Sequence, residues 1–93
     1  MSDRSVDQLR FVEMVQAHPE LAGYWDFETW SLQVKRVDED FGVLSSGQQI
    51  LMPFFMSVWF GRNKDFDITR AAGVLDNSNK QIIADWLLDP FWP

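Results

Sequence analysis

The sequence predicts an all-α protein: a compact bundle of about five short helices around a central apolar helix at residues 52–60, with at most a minimal two-stranded β element. Three observations predict this class. Apolar residues recur at helical spacing in several segments, helix-capping residues precede those segments, and most glycines and prolines fall between them. At 93 residues the chain has room for one domain, residues 1–93, with one hydrophobic core.

The first predicted helix begins at a serine cap and ends before a proline. Ser5 precedes an amphipathic segment that runs to about Ala17. The segment ends at His18, because the residue before a proline is disfavoured in the helical conformation. One further short turn is expected in PELAG, with Pro19 at its start and Gly23 at its end.

The most regular apolar spacing in the chain lies in the next segment. Five apolar residues are separated there by 3, 4, 3 and 4 positions: Phe27, Trp30, Val34, Val37 and Phe41. This spacing is typical of one narrow helical face, so the segment is predicted to be a single helix that Asp26 caps and that ends before Gly42. Leu32 would then point to the polar side of the helix, where a partner protein can contact it.

The segment ILMPFFMSVWF, residues 50–60, is uncharged and strongly apolar. As a helix it would span about 16 Å, roughly half the hydrocarbon thickness of a bilayer, so a buried core helix is favoured over a membrane span. A partly exposed groove for a partner stays open as an alternative. At Pro53 there are two alternatives: a helix that continues from Gly47 and kinks there, or a helix that Met52 caps and in which Pro53 is the first helical residue. The second is favoured, because proline fits the first helical position and disrupts a helix interior.

Capping signals delimit the other predicted elements. Ser46 with Gln49 fits a capping box before the central segment, and Gly61 is its expected end. Short extended pieces, which could pair with each other, are expected at residues 43–44 and 66–68.

Two more helices are predicted in the last third of the chain. Asp67 can cap one of them, and Ser78 with Gln81 fits a capping box for the final helix. Pro90 stops that helix. The tail that follows either packs across the core or protrudes as a docking peptide.

Composition excludes several classes of function. The net charge is −6 and the eight Lys and Arg residues are scattered, which disfavours direct binding of nucleic acid or of an anionic membrane. The chain has no cysteine, which excludes disulfides, thiolate nucleophiles and cysteine-based metal sites and favours a cytoplasmic location. The segment MSDRSVDQLR has no apolar run, so no signal peptide is predicted.

No motif for catalysis or for a cofactor is recognised. His18 is the single histidine, and no nucleophile elbow, phosphate-binding loop or zinc-protease motif occurs. In DEDFGVLSSGQQ, Asp38, Asp40 and Gly42 resemble the start of a calcium-binding EF-hand loop, but the spacing is one residue short and the closing glutamate is a glutamine. We therefore expect no enzyme activity, no metal and no cofactor.

The expected function depends on two kinds of surface, one apolar and one acidic. The candidate partner-binding residues are the apolar Leu32, Phe91 and Trp92 and the acidic Asp38, Glu39, Asp40, Asp65 and Asp67. We expect a cytoplasmic, bacterial, non-catalytic protein that binds another protein through the seam of the second helix or through the tail, and homodimer formation is left open. The alternative is an inhibitor whose carboxylates mimic nucleic acid and occupy a basic site on another protein. Small acidic proteins of phages and plasmids act in this way, and the chain resembles them in size and charge.

Overall fold

The computed structural model describes residues 4–93 and confirms the predicted helical class. Over these residues the chain forms six α-helices, one 3₁₀ turn and one short β-hairpin. The α-helices are α1 (Val6–Gln16), α2 (Pro19–Ala22), α3 (Val34–Asp40), α4 (Ser46–Phe60), α5 (Ile68–Val74) and α6 (Asn77–Leu88). The hairpin strands are β1 (Trp25–Asp26) and β2 (Ser31–Leu32), and the 3₁₀ turn is Phe41–Val43.

The first two helices lie where the sequence predicts them. Ser5 caps α1 with a complete capping box, in which its Oγ accepts a hydrogen bond from the Gln8 N–H and the Gln8 side chain accepts one from the Ser5 N–H, both at 3.1 Å. Pro19 opens α2, where its missing N–H would have had no helical partner. Both predictions are confirmed, and α1 buries Phe11 and Val15 in the core.

The single helix predicted between Asp26 and Gly42 is wrong. The first part of this segment is the hairpin, in which β1 and β2 pair antiparallel, and the second part is α3 with the 3₁₀ turn. Leu32 therefore lies in β2 opposite Trp25 and packs against the core, instead of on the polar side of a helix. The predicted apolar seam is therefore divided between the hairpin turn, α3 and the 3₁₀ turn.

Side chains hold the hairpin turn. Asp26 Oδ1 accepts hydrogen bonds from the N–H groups of Thr29 (3.2 Å) and Glu28 (3.0 Å), which hold the pKa of Asp26 below its ordinary value. Trp30 adopts a φ of +56°, in the left-handed region that bulky residues rarely enter. The Arg4 guanidinium donates to two carbonyls of the turn and lies 4.7 Å from the Trp30 ring centroid. Tertiary contacts thus stabilise an intrinsically unfavourable turn.

The central helix α4 is confirmed, but it begins earlier than predicted. The predicted start at Met52 is wrong, because α4 begins at Ser46 and contains Pro53. Its cap is Ser45, whose Oγ accepts from the Gln48 N–H (3.2 Å) while the Gln48 side chain accepts from the Ser45 N–H (2.9 Å). The capping box therefore lies one position before the predicted one.

Burial explains why α4 tolerates its proline. A proline in a helix interior costs about 3 kcal/mol. Burying one large apolar side chain contributes about 1.5–3 kcal/mol, so a few such residues offset that cost. The buried residues of α4 are Ile50, Leu51, Met52, Pro53, Phe54, Phe55 and Val58. Within the described chain, no helix combines the length and apolar content needed to cross a bilayer.

Aromatic side chains pack against two sides of α4. On one side Trp59 contacts Trp30 and Phe11, with ring centroids 5.0 and 5.4 Å apart. On the other side Phe54 meets the edge of Trp86 at 5.7 Å. Tilted and edge-to-face pairs of this kind add to the stability that burial alone provides. These pairs join core residues to partly buried tryptophans that pack against the core, and two of those tryptophans to each other.

Several predicted boundaries in the second half of the chain change. The extended pieces predicted at residues 43–44 and 66–68 are wrong, since neither range is assigned to a strand. Asp67 caps α5 as predicted, with its Oδ1 accepting from two backbone N–H groups at the start of that helix. The cap of α6 is Asp76 and not Ser78, so α6 begins earlier than predicted.

Two glycine substitutions are expected to change stability in opposite directions. Gly61 ends α4 with a φ of +70°, so Gly61→Ala should lower the free energy of unfolding by about 1 kcal/mol. Gly73 lies inside α5 with open space where a Cβ would lie, so Gly73→Ala should raise the free energy of unfolding by about 0.5–1 kcal/mol. Urea denaturation followed by circular dichroism measures both values. Midpoints that shift in the same direction would contradict this account.

Candidate protein-binding surface

The C-terminal tail packs on the core. Phe91 is only 5% exposed, and its carbonyl accepts a hydrogen bond from Trp86 Nε1 at 3.0 Å. The Arg10 guanidinium lies 4.6 Å from the Phe91 ring centroid and donates to the carbonyl of Asp89 at 2.9 Å. Phe91 is thus a core residue, with its side chain almost entirely covered in this structure.

Trp92 presents its ring to solvent from this anchored tail. Its side chain is 57% exposed, and its ring meets the edge of the Trp86 ring with centroids 5.1 Å apart. Its backbone N–H donates to Asp7 Oδ2 of α1 at 3.2 Å. The tail therefore fixes the position of Trp92 while leaving the ring accessible.

An apolar groove lies between α6, the end of α4 and the loop that follows α4. It encloses about 340 Å³, and its walls are almost entirely apolar. Its apolar lining includes Phe54, Phe66, Ile68, Ile83, Leu87 and Trp92, and its polar lining residues are Ser57, Arg62 and Asn63. A smaller cavity of about 170 Å³ continues between α5 and α6. Because both cavities share Ile68, Ile83 and Leu87, they form one surface.

Large exposed apolar side chains line this groove or lie beside it. Ile68, Leu87, Leu88 and Trp92 are each more than half exposed, and Leu88 reaches 84%. Leu88 lies one helical turn beyond Ala84, which lines the smaller cavity. We define the α5–α6 face as Ile68, Ile83, Leu87, Leu88 and Trp92. Of these five, sequence reasoning singled out only Trp92 as a candidate for binding.

The acidic candidates on α3 differ in their surroundings. Asp38 and Glu39 are exposed. Asp40 Oδ2 accepts a hydrogen bond from the Tyr24 hydroxyl at 2.8 Å and lies 3.9 Å from Arg36 Nε. Burial of Tyr24, together with this bond, raises the pKa of its hydroxyl above the ordinary value. Asp40 thus contributes to packing between α3 and the start of the hairpin.

The other two acidic candidates lie near the start of α5. Asp67 Oδ1 accepts hydrogen bonds from Thr69 Oγ1 (2.6 Å) and from the N–H groups of Thr69 and Arg70, and these bonds hold its pKa below the ordinary value. Asp65 adopts a φ of +61° and borders a cleft of about 560 Å³ together with Asp38. Lys64 and Arg70 border the same cleft, so its charge is mixed.

The residues that resembled part of a calcium loop are helical. Asp38 and Asp40 lie within α3, so the loop geometry that an EF-hand requires is not formed there. Between residues 4 and 93, no three His, Asp or Glu side chains gather in a group that could hold a metal ion.

The α5–α6 face combines an apolar groove with large exposed apolar side chains. Comparisons with protein-family models, with curated proteins and with solved structures found no match for the chain. A proposal for the function of the chain therefore depends on which described surface can bind a ligand and on the chemistry of that surface.

Proposed function

We propose that this chain is a non-catalytic, cytoplasmic protein-binding module whose α5–α6 face holds an apolar helix of another protein. One observation carries the proposal: three large apolar side chains that line a continuous apolar groove, Ile68, Leu87 and Trp92, are each more than half exposed, and the exposed Leu88 lies one helical turn from a fourth lining residue. Contiguous exposed apolar surface of this kind marks interaction sites in soluble proteins. A groove lined by packed helices is suited to the apolar stripe of an amphipathic helix.

The energetics of the face favour binding. Fully burying a leucine side chain contributes about 1.5–3 kcal/mol, and Leu87 and Leu88 are both available for burial. Trp92 can act as an aromatic anchor, the residue type most enriched among binding hot spots. Its contacts with Trp86 and Asp7 order it before binding, so little conformational entropy is lost when the partner arrives.

Selection of helical peptides tests the proposal. A displayed library of helical sequences is selected on the full chain, and the enriched peptides are measured by fluorescence anisotropy. We expect them to carry an apolar stripe and to bind Leu88→Glu and Trp92→Ala at least about tenfold more weakly, since a hot-spot loss of 2 kcal/mol or more exceeds that factor. Val43→Glu is the matched control, because Val43 is 85% exposed and lies in the 3₁₀ turn.

Two results would contradict the proposal. Enriched peptides that bind Leu88→Glu as tightly as the unaltered chain would place the binding surface elsewhere. Equal losses with Val43→Glu and Leu88→Glu would show a general effect of added charge. Circular dichroism of each variant confirms that its helices are retained.

The alternative function, mimicry of nucleic acid, has weaker support. Asp38 and Asp65 border the same cleft, which favours it, but Lys64 and Arg70 border that cleft too. A mimic would lose its partner when Asp38 and Glu39 are changed to lysine, and its binding would fall steeply as salt rises. A partner held by the α5–α6 face would tolerate these substitutions.

A further inference from the structure

The charged residues that line the two cavities of the α5–α6 face have the opposite sign to the charge of the whole chain. The chain carries a net charge of −6. Arg62 borders the larger cavity and Lys80 borders the smaller one, and among the described residues no Asp or Glu lines either cavity. Among the described residues, the groove of this acidic protein is thus bordered by two cations and by no carboxylate.

Both cations are free to meet a ligand. Arg62 and Lys80 are exposed, and the ion pairs found within residues 4–93 are Arg10–Asp89 and Arg36–Asp40, neither of which involves them. Each borders a different cavity, so a helix lying along both cavities would pass close to both cations.

We infer that the helix bound by the α5–α6 face is acidic, with Asp or Glu residues flanking its apolar stripe. This inference rests on the proposed function and adds the chemistry of the partner. Carboxylates beside the stripe would pair with Arg62 and Lys80, which increases the association rate and fixes the orientation of the helix. A basic helix would be rejected, because its cations would face those of the groove.

A second copy of the chain fits the face less well. In a symmetric dimer the same patch meets itself, so Arg62 and Lys80 of one copy would approach the same cations of the other. Two chains of net charge −6 also repel each other before contact. The charges therefore point to a different, acidic partner.

Three synthetic peptides test the inference. They share one apolar stripe, taken from a selected binder, and differ only in their flanking residues, which are all Glu, all Gln or all Lys. Exposed ion pairs change affinity by about 1.5- to 5-fold each, so the Glu peptide should bind the full chain about 2- to 20-fold more tightly than the Gln peptide. The Lys peptide should bind most weakly.

Charge reversal on the chain gives the complementary measurement. The double variant Arg62→Glu, Lys80→Glu should lose its preference for the Glu peptide and favour the Lys peptide. Lys35→Glu is the control, because Lys35 is exposed on α3 and lines neither cavity. It should leave the order of the three peptides unchanged.

The outcomes separate this inference from the proposed function. If the three peptides bind equally and all lose affinity with Leu88→Glu, the acidic partner is wrong while the binding face stands. If no peptide binds, or if Leu88→Glu has no effect, the proposed function fails as well. A dimer seen by sedimentation and abolished by Leu88→Glu would replace the acidic helix by a second copy.

Discussion

Replacing Phe55 by alanine is expected to lower the free energy of unfolding by about 3–5 kcal/mol. Phe55 is fully buried near the middle of α4, where removal of its ring leaves a cavity that the surrounding helices cannot fill. Small domains have a total stability of about 5–15 kcal/mol, so this single change removes a large part of it. Urea denaturation followed by far-ultraviolet circular dichroism measures the loss.

Phe60→Ala is the matched control for this experiment. Phe60 lies in the same helix but is 40% exposed, with Lys64 Nζ 4.9 Å from its ring centroid. Its replacement should cost about 1 kcal/mol, near the centre of the distribution for point substitutions in general. Equal losses for Phe55→Ala and Phe60→Ala would show that α4 is not the centre of the fold.

Trp30→Ala is expected to cost about 2–4 kcal/mol, and Trp30→Gly about 1 kcal/mol less than Trp30→Ala. Both variants lose the packing of Trp30 on Trp59 and Phe11 and the contact with Arg4. Alanine keeps the strain of a φ of +56°, whereas glycine accepts that conformation without a steric penalty.

The expected result is that the glycine variant is more stable than the alanine variant, which reverses the usual order of stability for these two residues. Elsewhere a glycine destabilises relative to alanine because it loses more backbone entropy on folding. An alanine variant as stable as the glycine variant, or more so, would contradict the left-handed conformation of Trp30. Denaturation midpoints of the two variants, measured side by side, decide the question.

The same residue explains why the hairpin could not be predicted from the sequence. Hairpin turns are recognised by glycine or asparagine where φ is positive, and this turn carries a tryptophan there. The spacing of Phe27, Trp30, Val34, Val37 and Phe41 matches a helix, and nothing local contradicts it. The deciding contacts come from Phe11, Trp59 and Arg4, which are distant in sequence.

The start of α4 could be predicted only to within a few residues. In LSSGQQI, two serine–glutamine pairs have the same capping-box spacing, so the sequence does not distinguish Ser45 from Ser46. With Ser45 as the cap, the side chain of Gln49 is free to donate to the carbonyl of Phe41 at 3.0 Å. The expected break at Pro53 did not occur because the surrounding residues are buried.

The candidate site was predictable only in part. The sequence pointed to Trp92, but it placed Phe91 beside it as a binding residue, whereas the structure buries Phe91. Ile68, Leu87 and Leu88 were missed, since periodicity shows that a helix has an apolar face but not how much of that face its neighbours cover. In this fold α5 and α6 leave part of their apolar surface open.

The anchored tail determines when the groove is completed during folding. The hydrogen bond from Trp92 to Asp7 joins residues 85 positions apart, and the Arg10–Asp89 pair joins residues 79 positions apart. Closing loops of that length is entropically costly, so these contacts form after the local helices. Because Trp92 is one wall of the groove, the groove is completed only after those contacts form. If the proposed function is correct, a bound helix would hold the tail in place, would select fully folded molecules and would slow their unfolding.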